Sequence, residues 1–402
     1  MDDRKIYIEQ PHGFEEYNNG QAQVCLLLRA LYGLKQSPLL WHEEFTKFLK
    51  SLKLYPSLAD PCLFMTDQPV GKRVWVIIHV DDVLISAKAL SSVDITAKLI
   101  GDRFKMKSLG NLSFYLGIRV VRDRRSRTLW MAQDSYIRRM AQRLHTNMHA
   151  SVASPSTKAI LQAAPTDFTA SKNSIERYQN TVGSVMWPAM QTRPDIAYIA
   201  GVLSKYLCNP LPEHINAALR VVRYLQGTEN LGICFTGSRD SNDLDFKAYA
   251  DSSYADDPDT RRSTSGYVFM LAGGPIAWKS GRQSIVTLST TEAEYVSLTI
   301  AAREAIWIGK LLSEIGYAGR VKPVIYEDNQ PAIDLTHGVT AGHHRTKHID
   351  VRYHFIREQV DKGAMEVRYV PTDEQAADIM TKPFCMDFEK KRAQLCIAEV
   401  PE

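Results

Sequence analysis

Apolar residues recur at helical spacing from Leu39 to Leu54, where Trp41, Phe45, Phe48 and Leu52 share one face. A Pro-containing stretch follows, and the period then shortens to two. Val74, Val76, Ile78 and Val80 fall on alternate positions, Asp81-Asp82 interrupts, and Val83 and Ile85 resume the pattern. This predicts a hairpin with two acids at its tip. Residues 151–173 are rich in Ala, Ser, Thr, Lys and Pro and read as a linker or long loop. Residues 174–228 read as helical, with breaks near Pro188, Pro194 and Pro210.

From Leu244 the pattern changes again. Leu244, Phe246 and Ala248 alternate up to Asp251. SGYVFMLAGGPIAWKS reads as two strands about a Gly273-Gly274 turn, with IVTL extending the strand region. Ser289-Thr290-Thr291-Glu292 is a capping box that opens a helix running to about Ile315. PVIY is a fourth strand ending near Asp328, and Met365, Val367 and Tyr369 alternate as a fifth. Thr372-x-x-Gln375 reads as a second capping box, opening a last helix that Pro383 stops. The expected fold class is α+β. Its parts are residues 1–150, a helical segment with its linker at 151–243, a mixed five-stranded sheet with helices at 244–385, and a tail at 386–402.

Composition narrows the class without naming a chemistry. The 402 residues are 45% apolar and 23% charged, which suits a chain of two or three soluble domains. The formal net charge is only +4, yet eight Arg and two Asp lie between Arg119 and His145. Such a stripe suits a polyanion, and Arg124 and Arg125 sit in its RDRRSRT turn. A solvated turn is the equally weighted alternative. The six cysteines form no CxxC pair. No apolar run reaches the roughly 18 residues a membrane span needs, and no signal peptide is evident. A reduced intracellular setting, cytoplasmic or nuclear and without a membrane partner, is the expectation.

Four acids of the last segment sit at element ends or early in helices: Asp251, Glu294, Asp328 and Asp378. Phosphodiester hydrolysis needs a nucleophile at neutral pH and a counter to the charge growing on phosphate. Two Mg²⁺ ions (or Mn²⁺) roughly 4 Å apart supply both, and a carboxylate cluster holds them. Glu292 fits the capping role, which leaves Glu294 for the chemistry. HHRTKHIDVRYHFIRE offers His344 and His348 at zinc spacing. A basic helix facing a nucleic-acid backbone through Arg345, Lys347, His348 and Arg352 is preferred, with a solvated face as the alternative. Trp187, Trp278 and Trp307 are expected in the core.

AYADSSYADD, LSTTEAEY, YEDNQPAI and EQAADIMTKPF resemble the ribonuclease H blocks of copia-type retrotransposon Pol polyproteins. The resemblance implies a ribonuclease H fold. It implies Asp251, Glu294, Asp328 and Asp378 as metal ligands, and cleavage of the RNA strand of RNA–DNA hybrids. RTKHIDVRYHFIRE is similar to a further block of the same family. IYIEQPHGF, RALYGLKQSPLLWHEEF, HVDD, FKMKSLGNLSFYLGI and VGSVMWPAMQTRPDIAY resemble copia-type reverse transcriptase. That implies a palm remnant in residues 1–150, a thumb or connection in 151–243 and a template–primer as partner. Asp81 and Asp82 would be two of three polymerase metal ligands.

The first segment also departs from the family's pattern. His79 stands where a Tyr is usual and Leu39 where Arg is frequent. The segment matching Met1–Phe14 lies after the family's first ligand Asp, and the fingers are not matched. The alternatives to a ribonuclease H are a catalytically silent nucleic-acid-binding remnant and a polymerase subunit needing an upstream segment of the polyprotein. The polypeptide of these 402 residues is expected not to extend a primer. Labelled-nucleotide incorporation on a primed RNA template checks this, and measurable extension overturns it.

Overall fold

The computed structural model describes residues 5–31, 33–145, 152–157, 159–238, 246–317, 322–338, 350–384 and 386–401. Contacts divide the chain into two units: Met1–Ser108 with Glu314–Gly316, and Leu109–Ser313 with Tyr317–Glu402.

In the first unit, β1 (Tyr7–Glu9) through β4 (Val24–Leu26) make two small two-stranded sheets, with β2 (Tyr17–Asn18) and β3 (Gln21–Ala22) as the inner pair. The helix α1 (Ser37–Ser51) buries Phe45 and Leu49, four apart on one face. That face lies on a four-stranded sheet of β5 (Leu54–Pro56), β6 (Leu63–Thr66), β7 (Val74–His79) and β8 (Asp82–Ala87). Val74, Val76 and Ile78 point inward from β7, as their alternation predicts. Phe104, at the end of α2 (Leu90–Phe104), takes Trp41, Phe45 and Phe48 around it with ring centroids 4.9–5.2 Å away. These contacts hold the β7–β8 hairpin, which pairs His79 with Asp82.

The second unit begins with β9 (Phe114–Tyr115), β10 (Ile118–Asp123), β11 (Thr128–Ala132) and α3 (Asp134–Arg143). Three helices follow: α4 (Lys172–Gln191), α5 (Ala197–Leu203) and α6 (Pro212–Gly227). Pro188 does not break α4, contrary to expectation, but lies inside its last turn. The carbonyl that loses its partner is that of Ser184, four residues earlier, and the Tyr136 hydroxyl donates to it at 2.9 Å, while Thr192 and Arg193 donate to the Pro188 carbonyl. Between α4 and α5, Arg193 is fully buried and grips Asp195 with two hydrogen bonds of 2.8 and 3.0 Å. The Tyr224 hydroxyl donates to the same carboxylate at 2.6 Å, and the guanidinium also donates to the Thr228 carbonyl and hydroxyl. A buried charge satisfied this completely fixes the helix crossing.

β12 (Leu231–Thr236) then joins β11, and the chain enters the mixed sheet. β13 (Lys247–Ser253) is central, paired antiparallel with β14 (Thr264–Leu271), which pairs with β15 (Gly274–Arg282). The hairpin turn is Ala272-Gly273, both at positive φ, one residue earlier than the sequence suggests. Residues 285–288 form no strand: Val286 and Leu288 are exposed, and among the described residues no neighbouring strand pairs with them. α7 (Thr290–Leu312) crosses the sheet face. β16 (Val324–Glu327) runs parallel to β13, followed by α8 (Gln330–Thr336), α9 (Asp350–Asp361) and β17 (Glu366–Tyr369), which is parallel to β16. The order β15-β14-β13-β16-β17 is the ribonuclease H-like mixed sheet that the resemblance implies. Thr372 caps nothing: two short 3₁₀ turns, 372–374 and 376–380, replace the expected last helix, and Gln375 caps the second by accepting from Ala377. Residues 388–394 form α10 (Phe388–Gln394), and β18 (Ile397–Glu399) pairs with β12 as an edge strand, so the C-terminal stretch is packed.

Asp195→Ala leaves the Arg193 charge buried without its partner and is expected to cost about 3–5 kcal/mol. Urea unfolding measures this, and a loss below about 1 kcal/mol contradicts the role given to the pair.

Candidate metal centre

β13 places Asp251 in the middle of the mixed sheet, where only 1% of it is exposed. Its backbone carbonyl accepts from the Ser297 hydroxyl of α7 at 2.7 Å, which ties the strand to the helix. The first turn of α7 is set by its cap. Ser289 accepts from the Glu292 amide, and the Glu292 carboxylate accepts from the Leu288 amide at 2.7 Å. Glu292 is therefore occupied in capping, and Glu294 is the acid turned toward the strand. Asp328 follows directly on β16, the strand parallel to β13. Asp251, Glu294 and Asp328 each offer a carboxylate oxygen, and these atoms lie within 4.8 Å of one another. Among the described residues, no other group of three acids, histidines or cysteines reaches this closeness.

A further acid, fully buried and missed in the sequence, stands beside them. Glu327 is fully buried, accepts from the Asn329 amide through Oε1 at 3.1 Å, and leaves Oε2 without a partner. Its signal is its position: Ile325 and Glu327 alternate onto the inward face of β16, where an apolar residue is the rule. Glu294 Oε2 is likewise buried without a partner.

The electrostatics follow from this crowding. Burial pushes the Asp251 carboxyl up to about 6, against the pull of Lys382, with Asp378 adding to the rise. Burial also raises Glu294 well above the ordinary carboxylate range, and Asp251 and Asp328 raise it further. Glu327 is raised by burial and then by Glu294 and Asp251. Buried like charges disfavour one another's ionisation, and a cation among them reverses that preference.

Asp378 is placed differently from the other three predicted ligands. It lies in the 376–380 turn, and both of its oxygens are held by ammonium groups: Oδ1 by Lys382 at 2.5 Å and Oδ2 by Lys391 at 2.8 Å. Lys382 also reaches Asp251 Oδ1 at 3.3 Å, while the Thr381 hydroxyl donates to Asp251 Oδ2. Gly266, paired across from Asp251 on β14, permits this approach. A Cβ there would lie 2.5 Å from that of Met380 and 2.7 Å from the Thr381 methyl.

The remaining candidates are scattered. Asp81 and Asp82 are exposed at the β7–β8 turn, whose Val80 carbonyl accepts from the Trp41 indole. No third acid joins them among the described residues. Arg124 and Arg125 are exposed on the β10–β11 turn, which the Asp123 carboxylate closes by accepting from Arg125 and Ser126. Other arginines of the stripe are structural: Arg119 and Arg138 both pair with Asp134, at 3.2 and 2.8 Å. Arg352 lies on α9, while Arg345, Lys347, His348 and the His344 zinc reading fall outside the described residues. Trp278 packs as expected and donates to the Ala189 carbonyl. Trp187 and Trp307, at 38% and 42% exposed, are not core residues.

Residues 1–158 match the family model described as reverse transcriptase (RNA-dependent DNA polymerase). The chain is 40% identical over 387 residues to the retrovirus-related Pol polyprotein from transposon TNT 1-94 of Nicotiana tabacum, covering 94% of this chain and 28% of that one. It is 30% identical to the putative transposon Ty5-1 protein of Saccharomyces cerevisiae, covering 75% of this chain and 96% of that one. The solved structure of the ribonuclease H1 LC11 with an RNA/DNA hybrid aligns over 34% of this chain and 93% of its own, with 15% identity and a TM-score of 0.27. A reverse-transcriptase segment joined to a ribonuclease H-like sheet defines the class as a retroelement Pol protein. The chain belongs to the copia-like family of retrovirus-related transposon Pol polyproteins. It spans about a quarter of the length of the Pol polyproteins it matches.

Glu327→Gln keeps the side chain's shape and removes a carboxyl that the unfolded chain ionises at neutral pH and the fold disfavours in its charged form. In metal-free buffer it is expected to stabilise the fold by roughly 1–3 kcal/mol. Chemical denaturation in EDTA checks the sign, and an unchanged or lower midpoint contradicts it.

Proposed function

We propose that this chain hydrolyses the RNA strand of RNA–DNA hybrids in a divalent-metal-dependent reaction at Asp251, Glu294 and Asp328. The observation that carries the reading is the convergence of three carboxylates from β13, α7 and the end of β16 within 4.8 Å. The donor set fits Mg²⁺ or Mn²⁺: all oxygen, with Asp251 and Glu294 buried and Asp328 half-buried, and with Glu294 Oε2 and the neighbouring Glu327 Oε2 lacking a hydrogen-bond partner among the described residues. When bound, such ions supply counter-charge for the phosphate and make water a nucleophile at neutral pH.

The chain's own groups prepare the site. Ser297 and Gln375 hold β13 through the carbonyls of Asp251 and Ala250, and Thr381 orients the Asp251 carboxylate. A ligand shell fixed before the substrate arrives needs no reorganisation in the transition state. Discrimination against DNA in the cut strand would rest on the 2′-hydroxyl and on hybrid shape. The exposed Arg124 and Arg125 suit contact with a hybrid or template–primer backbone. Other parts of a Pol polyprotein are the further partners, and an intracellular setting, cytoplasmic or nuclear, is where hybrids of this kind would be met. Among the described residues, no helix is long and apolar enough to cross a membrane.

The test is cleavage of a labelled RNA strand in a hybrid with Mg²⁺. The native chain is expected to cut it, and a matching DNA duplex is expected to stay intact. Asp328→Asn is expected to lower the rate at least about a hundredfold, as loss of a ligand or its close support does. A folded chain that cuts nothing in Mg²⁺ or Mn²⁺ contradicts the proposal.

A further inference from the structure

The side of the acid cluster nearest Asp378 already holds a cation of the protein's own. Lys382 stands between Asp251 and Asp378, with its ammonium 3.3 Å from one carboxylate and 2.5 Å from the other. The two acids are 1% and 5% exposed in their side chains, whereas that of Lys382 is 36% exposed, so the lysine reaches in from the surface. Lys391 holds the remaining Asp378 oxygen from the opposite side, itself only 10% exposed and within 3.4 Å of three backbone carbonyls. Lys391 is therefore a fixed structural partner. Among the described residues, Lys382 donates to these two carboxylates alone, and it does so from the end of a long flexible stem.

Two orphan carboxylate oxygens, Glu294 Oε2 and Glu327 Oε2, mark an unmet demand for a cation elsewhere in the cluster. Among the described residues, Asp251 and Asp378 are thus in direct contact with an ammonium, and the orphan oxygens of Glu294 and Glu327 are not.

We propose that Lys382 is a tethered counter-cation that occupies the Asp251–Asp378 half of the site and keeps that half from binding a divalent ion in the free protein. The inference rests on the metal-dependent reading of the trio. An ammonium within ion-pair distance of two buried carboxylates competes directly with a metal for the same oxygens. Any ion entering that half must displace it. The incoming phosphodiester is an anion that offers the displaced ammonium a new partner, so substrate and the second ion would enter together. Lys382 acts here by positioning charge and is not assigned a bond-making role.

The test is Mn²⁺ titration by calorimetry, without nucleic acid, of the native chain, Lys382→Met and Lys382→Arg. Met keeps the stem and removes the charge, and Arg keeps the charge. The native chain and Lys382→Arg are expected to bind one ion. Lys382→Met is expected to bind a second ion, or the first about tenfold more tightly. Thermal unfolding in EDTA checks that each variant folds. Two ions on the native chain, or identical stoichiometry and affinity across all three proteins, overturns the proposal while leaving the metal site standing. No binding to any folded protein of the set overturns the metal reading itself, and this proposal with it.

Discussion

Burying carboxylates side by side is the constraint around which the second unit is organised. Asp251, Glu294 and Glu327 are each at least nine-tenths removed from water, and Asp328 closes on them from the end of β16. Isolated in a low dielectric, such charges would be strongly unfavourable, and the fold answers in two ways. It raises the proton affinity of Asp251, Glu294 and Glu327, and it brings Lys382 and Lys391 against the neighbouring Asp378. A fold selected for stability alone would place apolar groups on these inward positions. Their retention is what supports a functional reading of the cluster.

Everything that positions the cluster is conventional packing. β13 is flanked on both sides by hydrogen-bonded strands, so Asp251 cannot shift without breaking the sheet. α7 is anchored at its start by the Ser289–Glu292 cap and along its length by buried Tyr295, Leu298, Ala302 and Ala305, which fixes Glu294 by rotation. Gly266 makes room for the 376–380 turn, and with it Asp378 and Lys382. The first unit offers a contrast. Its Asp81 and Asp82 are held by a well-packed hairpin, yet they remain exposed and without a third acid nearby among the described residues. Two acids in water do not create the electrostatic demand that three or four buried ones do.

Much of this was legible because local rules and tertiary structure agree. The period-two run of Val74, Val76 and Ile78 and the capping box at Ser289 are local signals that packing confirms. The box also separated Glu292 from Glu294, since one glutamate's role in capping leaves the other for the interior. Where the reading failed, tertiary context outweighed local pattern. Residues 285–288 have strand-like composition but no partner strand. Pro188 stays inside α4 because Tyr136, from α3, supplies the donor that the Ser184 carbonyl loses. β18 is three residues long and exists only because β12 presents an open edge. Glu327 was passed over as a companion of Asp328, although alternation with Ile325 already placed it inward. The partners of Asp378 depend on a turn and on a helix thirteen residues later, and no spacing rule brings Lys391 to it.

The central claim is that Asp251, Glu294 and Asp328 form a divalent-cation site. Crystals of the chain soaked in Mn²⁺ and measured at the manganese absorption edge test it most directly. The account predicts an anomalous peak within coordination distance of all three carboxylates. A peak that avoids them, or a fully occupied Mn²⁺ elsewhere with none at the trio, would contradict it.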